Sequence, residues 1–166
     1  MGETPVRIGE LIATRDPDEV LISVGLGSCI GLAMIDRARG IAGLAHVMLP
    51  QSPNGAGPLP GRYADHAVPT LLDRMVALGA SRAAIEVGMA GGAQMFGGSS
   101  SIEVGKRNAE AVTSALGEAR LRIKASATGG EKGRTVKVLA AQGVMIVREV
   151  ASEEVVLIGD LVGAAR

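Results

Sequence analysis

The distribution of hydrophobic and polar positions predicts many short strands and two helices. The two helical stretches, 65–78 and 105–119, carry apolar residues along one side at helical spacing. The other apolar runs are short and end at turn-forming residues, which is typical of strands. The predicted strands are 5–14, 19–24, 29–35, 41–49, 84–89, 121–127, 134–139, 144–150 and 155–158. Because these strands do not alternate with helices in βαβ fashion, the pattern predicts an α+β layered fold.

Two of the predicted strands form a hairpin that brings a cysteine and a histidine together. The apolar runs 29–35 and 41–49 are joined by the short polar segment 36–40. If Asp36 pairs with Arg39 around a two-residue loop, Cys29 lies directly opposite His46. Their Cβ atoms would then be about 4.5–5.5 Å apart. This prediction depends on register, because a slip of one residue sends the two side chains to opposite faces.

A thiol beside an imidazole can act as a nucleophile. The thiol of a free cysteine has a pKa of about 8.5, and a neighbouring imidazolium stabilises its thiolate form. The thiolate is the form that attacks carbonyl carbons. Gly25, Gly27 and Ser28 form the turn before Cys29, and backbone N–H groups that converge there could stabilise an oxyanion. The alternative is that Cys29 is a small buried hydrophobic residue and His46 a structural one.

Composition narrows the classes of function. A chain of 166 residues predicts a single domain, 1–166. Its formal charge is zero, with no basic stripe or aromatic platform, so nucleic-acid binding is disfavoured. A single cysteine suits a reducing compartment, and neither a membrane span nor a signal peptide is recognised, so a cytoplasmic protein is expected. His66 does not complete a zinc signature with Cys29 and His46, and neither a metal nor another cofactor is expected.

Several segments near the hairpin have two interpretations. The loop 51–61 either borders the site or is an ordinary surface connection. Phe96, in a glycine-rich loop, either contacts substrate or belongs to the core. Asp65 and Gly79 are the expected caps of the first helix. Arg107 and Asn108 are expected in the solvated or capping first turn of the second helix.

A series of motifs resembles one known family. In chain order they are LGSCIG at 26–31, AHVMLP at 45–50, GRYAD at 61–65, AGGAQMF at 90–96, VGKRN at 104–108 and TGG at 128–130. Together they resemble the chemoreceptor glutamine deamidase family, CheD, over about residues 8–147. The resemblance implies that Cys29 and His46 are catalytic. The third catalytic position is typically threonine in the family and is Ser23 here, and Ala127 stands where an acidic residue often precedes TGG.

The resemblance also implies a fold, a reaction and partners. The fold is a sandwich of two β-sheets with a helical layer. The reaction is deamidation of receptor glutamine to glutamate, in which Ser23 orients His46, and the same chemistry could cleave a glutamyl methyl ester. The implied partners are the cytoplasmic domains of chemotaxis receptors and a CheC-type phosphatase. The alternative is a non-catalytic adaptor that binds the same partners.

Overall fold

The computed structural model describes residues 2–53, 57–94 and 103–160, in which ten strands form two five-stranded sheets beside two α-helices. The strands are β1 (Glu3–Pro5), β2 (Leu11–Thr14), β3 (Val20–Leu26), β4 (Ile30–Asp36), β5 (Ile41–Val47), β6 (Glu86–Gly91), β7 (Ile123–Thr128), β8 (Arg134–Leu139), β9 (Val144–Glu149) and β10 (Glu154–Ile158), and the helices are α1 (Ala64–Ala77) and α2 (Glu103–Glu118). The outer sheet has the order β1-β3-β8-β9-β10, and the central sheet has the order β2-β5-β4-β6-β7.

Three layers result, with the central sheet buried on both faces. One apolar cluster lies between the two sheets and includes Ile35, Leu44 and Val136. A second lies between the central sheet and the helices and includes Met34 and Leu71. This architecture confirms the predicted α+β sandwich of two sheets with a helical layer. Within the described ranges, no helix is long and apolar enough to cross a bilayer.

The predicted edge strand 5–14 is two strands in two different sheets. β1 pairs in parallel with β3 at the edge of the outer sheet, whereas β2 pairs with β5 at the edge of the central sheet. The chain crosses between them near Gly9, whose φ of +84° is a left-handed conformation that favours glycine. The prediction of one strand was wrong because loose alternation does not reveal a crossing between layers.

The expected caps of α1 are also displaced. The N-cap is Tyr63, which makes no side-chain capping bond, and Asp65 lies in the first turn. The Asp65 carboxylate instead accepts a hydrogen bond from the backbone N–H of Ser52 at 3.1 Å. The C-cap is Leu78, and Gly79 follows it with a φ of +111°. Asp65 therefore holds the start of the 51–61 loop against the helix.

Candidate active site

The β4–β5 hairpin has a different register from the predicted one. Asp36 pairs with Ile41 and Gly31 pairs with His46. The turn contains four residues, because the Asp36 carboxylate accepts from the Arg39 N–H and Gly40 adopts a φ of +66°. The prediction that Cys29 lies directly opposite His46 was therefore wrong, by two positions.

A shift of two positions keeps both side chains on the same face of the sheet. Cys29 packs against the cluster between the sheets. His46 pairs with Gly31, so the two residues point to the same face of the sheet. A Cβ added to Gly31 would lie 3.0 Å from Leu26 Cδ1, which belongs to the cluster between the sheets. Cys29 lies one residue beyond the last pair of the ladder, two positions before the residue that pairs with His46. The thiol and the imidazole share one layer of the sandwich.

His46 is a buried imidazole, one nitrogen of which has no hydrogen-bond partner among the described residues. Its side chain is 3% exposed, and Nδ1 lies 3.1 Å from the carbonyl oxygen of Val6. A carbonyl only accepts, so Nδ1 carries the hydrogen and Nε2 carries the lone pair. Nε2 is buried and has no hydrogen-bond partner among the described residues. Desolvation lowers the pKa of His46, against smaller opposing effects of the Val6 carbonyl and Glu10. The ring is therefore arranged to accept a proton at Nε2.

Ser23 contacts the same carbonyl as His46. It is fully buried, and its Oγ donates to the Val6 oxygen at 2.8 Å. The proximity follows from the parallel pairing of β1 with β3, which ends at Pro5 opposite Ile22. The hydroxyl proton of Ser23 goes to the Val6 carbonyl and not to the ring. Any influence of Ser23 on His46 passes through that carbonyl.

The loop that carries Cys29 is held by three successive carbonyl groups. Gly27 O accepts from Ala93 N at 2.8 Å, and Cys29 O accepts from Gly92 N at 2.9 Å. Ser28 O accepts from a side-chain amide, Nδ2 of Asn108, at 2.9 Å. Across the described ranges, no turn or loop hydrogen bond between backbone groups is donated by the N–H of these three loop residues. The loop is anchored through its acceptors, and its backbone donors have no hydrogen-bond partner within the described ranges.

The pKa of Cys29 does not indicate a resting thiolate. The residue is half-buried, and desolvation raises its thiol pKa. Because burial also lowers the pKa of His46, both groups favour their neutral forms near pH 7. This opposes the thiolate–imidazolium pair that sequence spacing suggested and favours a thiol beside a neutral base.

A cleft opens beside His46. It has a volume of about 450 Å³ and is lined mainly by apolar side chains of β1, β3 and the β1–β2 connection. Val24 and Ile8, which are 67% and 51% exposed, stand on its walls, and Gly25 lines it beside His46. Cys29 is not among the lining residues. Of the predicted oxyanion loop, the cleft therefore contains Gly25, while Gly27 and Ser28 lie with Cys29 in the anchored loop.

A glycine turn after β6 supports the cysteine loop. Gly91 has a φ of +116°, and a Cβ there would lie 2.1 Å from Cys29 O. Gly105 of α2 is similarly close to Gly92, since its Cβ would lie 2.5 Å from Gly92 O. Only glycine permits these approaches. Residues 91–93 and Gly105 of α2 therefore form the platform on which Cys29 is held.

Asn108 is the site residue that the sequence prediction missed. It is fully buried and not solvated, and its Nδ2 donates to Met48 O as well as to Ser28 O, each at 2.9 Å. A polar residue on the apolar side of a helix was the available signal, because such a residue needs buried partners. Phe96 lies outside the described residues. His66 lies on α1 with Nε2 3.4 Å from Thr70 Oγ1, and no metal-binding group of three was found in the part of the chain that the structure describes.

Comparisons with known proteins agree on one family. The family model "CheD chemotactic sensory transduction" matches residues 48–149. A probable chemoreceptor glutamine deamidase CheD of Methanococcus vannielii is 43% identical over 87% of this chain and 93% of its own. The corresponding protein of Archaeoglobus fulgidus is 43% identical over 89% and 93%, and the chemoreceptor glutamine deamidase CheD of Thermotoga maritima is 38% identical over 90% and 93%. These matches confirm the resemblance seen in the motifs: the chain belongs to the CheD family.

Proposed function

We propose that this protein deamidates glutamine side chains of chemotaxis receptors, on their cytoplasmic domains, with Cys29 as nucleophile and His46 as general base. The observation that carries the proposal is Nε2 of the buried His46, which has no hydrogen-bond partner among the described residues and lies in the same layer as Cys29. Burying a ring nitrogen without a partner lowers stability, and such cost is typical of functional sites. The names of the relatives support receptor glutamine as the substrate.

The arrangement suggests a reaction between neutral groups. As Cys29 Sγ attacks the γ-carboxamide carbon, its proton passes to His46 Nε2. The carbonyl oxygen becomes an oxyanion, for which the unused N–H groups of the cysteine loop are the candidate donors. The imidazolium then returns the proton to the departing nitrogen, and ammonia leaves a thioester. Water, deprotonated by His46, hydrolyses the thioester to glutamate and restores the thiol.

The same acylation extends to a glutamyl methyl ester. Attack by Cys29 on the ester carbon would release methanol and form the same thioester. An ester is a better substrate chemically than an amide, because alkoxide leaves more readily than an amide nitrogen. Hydrolysis of methylated receptor is therefore part of the proposal, and it requires the same two side chains.

A non-catalytic adaptor for receptors and a CheC-type phosphatase is the alternative. The observation that favours it is the half-buried thiol of Cys29, whose pKa is raised by desolvation. A thiol of this kind reacts slowly unless a base removes its proton. The alternative therefore depends on whether Nε2 of His46 performs that step.

The test is mass spectrometry of a receptor cytoplasmic fragment incubated with the purified protein. We expect conversion of specific glutamines to glutamate with wild type, and loss of methyl groups when the fragment is methylated first. The fragment alone under the same conditions gives the spontaneous rate. Binding of the fragment without any conversion would favour the adaptor, and the absence of both would reject receptors as partners.

Ser23→Ala tests the shared Val6 carbonyl. Removing the hydroxyl deletes one buried hydrogen bond, so we expect the free energy of unfolding to fall by about 1 kcal/mol. If the carbonyl then holds the His46 ring less firmly, kcat falls about fivefold for a similar energy. Ser23→Thr retains the hydroxyl and is the matched control, expected to retain activity. Equal losses in the two variants would contradict an orienting hydroxyl.

A further inference from the structure

Beyond the last paired residues of β4 and β5, the side chain of Asn108 connects the two chain segments. The last paired residues are Ile30 and Val47. After them the backbone groups bond elsewhere, since Met48 N donates to Arg62 O and Cys29 O accepts from Gly92 N. The strands therefore separate at the point where Cys29 leaves one of them. The Asn108 amide spans this opening.

Both hydrogens of the Asn108 amide are used to close the opening. Nδ2 lies 2.9 Å from Ser28 O and 2.9 Å from Met48 O. Since both partners are carbonyl oxygens, the NH₂ group must face them. Ser28 directly precedes Cys29, and Met48 follows His46 by two positions. The bridge therefore joins the cysteine loop to the end of the histidine strand.

The two hydrogen bonds that Asn108 donates come at the cost of an acceptor left without a partner in the described residues. The side chain is 0% exposed, and Oδ1 has no hydrogen-bond partner among the described residues. A buried acceptor without a partner destabilises the folded state. The neighbouring buried positions of α2, Val112 and Leu116, are apolar. The useful feature of Asn108 is the geometry that its NH₂ group imposes on two backbone segments.

We propose that Asn108 is a positioning residue, which holds the Cys29 loop at the distance from the His46 strand that proton transfer requires. The inference rests on the proposed function, since it assigns Asn108 to the same site. Displacement of reacting groups by about 1 Å can lower a rate about 100-fold. A residue that contacts neither Sγ nor the ring can therefore have a large effect on turnover.

Asn108→Leu tests the bridge, with Val112→Ala as the control. Leucine has the same branched shape as asparagine, but it is larger and has no donors. Val112 is fully buried on the same helix and belongs to the apolar cluster between the central sheet and the helices. Each variant is measured below its melting temperature and corrected for its folded fraction. For Asn108→Leu we expect kcat for receptor-glutamine conversion to fall about 10- to 100-fold with KM unchanged. For Val112→Ala we expect kcat per folded molecule to equal that of wild type.

Alkylation of Cys29 by iodoacetamide is the second readout, and it needs no receptor. Cys29 is the only cysteine in the chain, so the rate reports this residue alone. Loss of the bridge should expose the half-buried thiol, so alkylation of Asn108→Leu should be faster while deamidation is slower. A purely structural role would not produce these opposite changes. Asn108→Ala, which removes the amide without adding bulk, replaces the leucine variant if that variant does not fold.

The outcomes separate this inference from the proposed function. Wild-type kcat in Asn108→Leu, or an equal loss in Val112→Ala, would overturn the positioning role. If wild type converts no glutamine, the proposed function fails and alkylation alone decides the inference. Faster alkylation in Asn108→Leu but not in Val112→Ala would then support the bridge, and equal rates in all three proteins would reject it.

Discussion

Cys29→Ala lowers conversion of receptor glutamine roughly 1,000-fold or more, and this is the largest effect we expect. The thiol forms the thioester, and a methyl group cannot form any bond to the substrate carbon. Binding of the receptor fragment should persist, because exchanging the half-buried thiol for a methyl group changes little of the exposed surface. The measurement is a mass-spectrometric time course under single-turnover conditions, with binding measured separately.

Stability measurements make this result interpretable. Cys29 is half-buried, so alanine removes little apolar contact, and the melting temperature should stay close to that of wild type. Conversion by Cys29→Ala at the wild-type rate would eliminate the cysteine mechanism. Loss of conversion together with loss of binding would instead indicate a damaged receptor surface.

His46→Gln should produce the second largest loss, of about 10²- to 10⁴-fold in kcat, which is the usual contribution of a general base. Glutamine fills a similar space but offers no basic nitrogen. Receptor binding is expected to persist. Activity within a few-fold of wild type would contradict the assignment of Nε2 as the proton acceptor, whatever Cys29→Ala shows.

The pH dependence gives an independent check on His46. The base is active when neutral, so activity falls as pH drops through the pKa of His46. Because desolvation lowers that pKa, the acid limb of the pH–activity profile, where activity falls at low pH, should have its midpoint below about 6.5, the ordinary pKa of histidine. The limb should disappear in the residual activity of His46→Gln. A wild-type limb centred above 6.5 would show that the imidazolium is stabilised and not destabilised.

Alkylation of Cys29 distinguishes a neutral pair from an ion pair. If both groups are neutral at rest, the pH midpoint of alkylation in His46→Gln should equal that of wild type. If an imidazolium stabilises a thiolate, the midpoint should rise when the histidine is removed. The raised pKa of Cys29 and the lowered pKa of His46 favour the first outcome.

The hairpin illustrates what sequence patterns can and cannot predict. Its two strands, its polar turn and its pairing were predictable from apolar runs around 36–40. Its register was not, because every residue of β4 and β5 is buried. A strand covered on both faces has no alternation of apolar and polar residues to indicate which way each side chain points. The register was set by the four-residue turn that Asp36 and Gly40 stabilise.

Contacts between distant segments were beyond the reach of spacing arguments. Val6 meets Ser23 and His46 across separations of 17 and 40 residues, and Asn108 meets Ser28 across 80. Each contact depends on how the layers stack, which no local period records. The motif that contains Asn108 was visible in the sequence, but the two carbonyl groups that its amide meets were not.

The sequence by itself determined the element types, the α+β class and the family, and it pointed to the two residues that we propose perform acyl chemistry. Local propensity, periodicity and motif order are properties of the sequence, so they can be recognised without a structure. Tertiary structure alone decided the register, the shared Val6 carbonyl, the Asn108 bridge and the directions in which burial shifts the pKa values of Cys29 and His46. These features depend on which groups are buried and on which carbonyl groups they contact. Burial and hydrogen-bond partners are fixed only when the two sheets and the helices pack together.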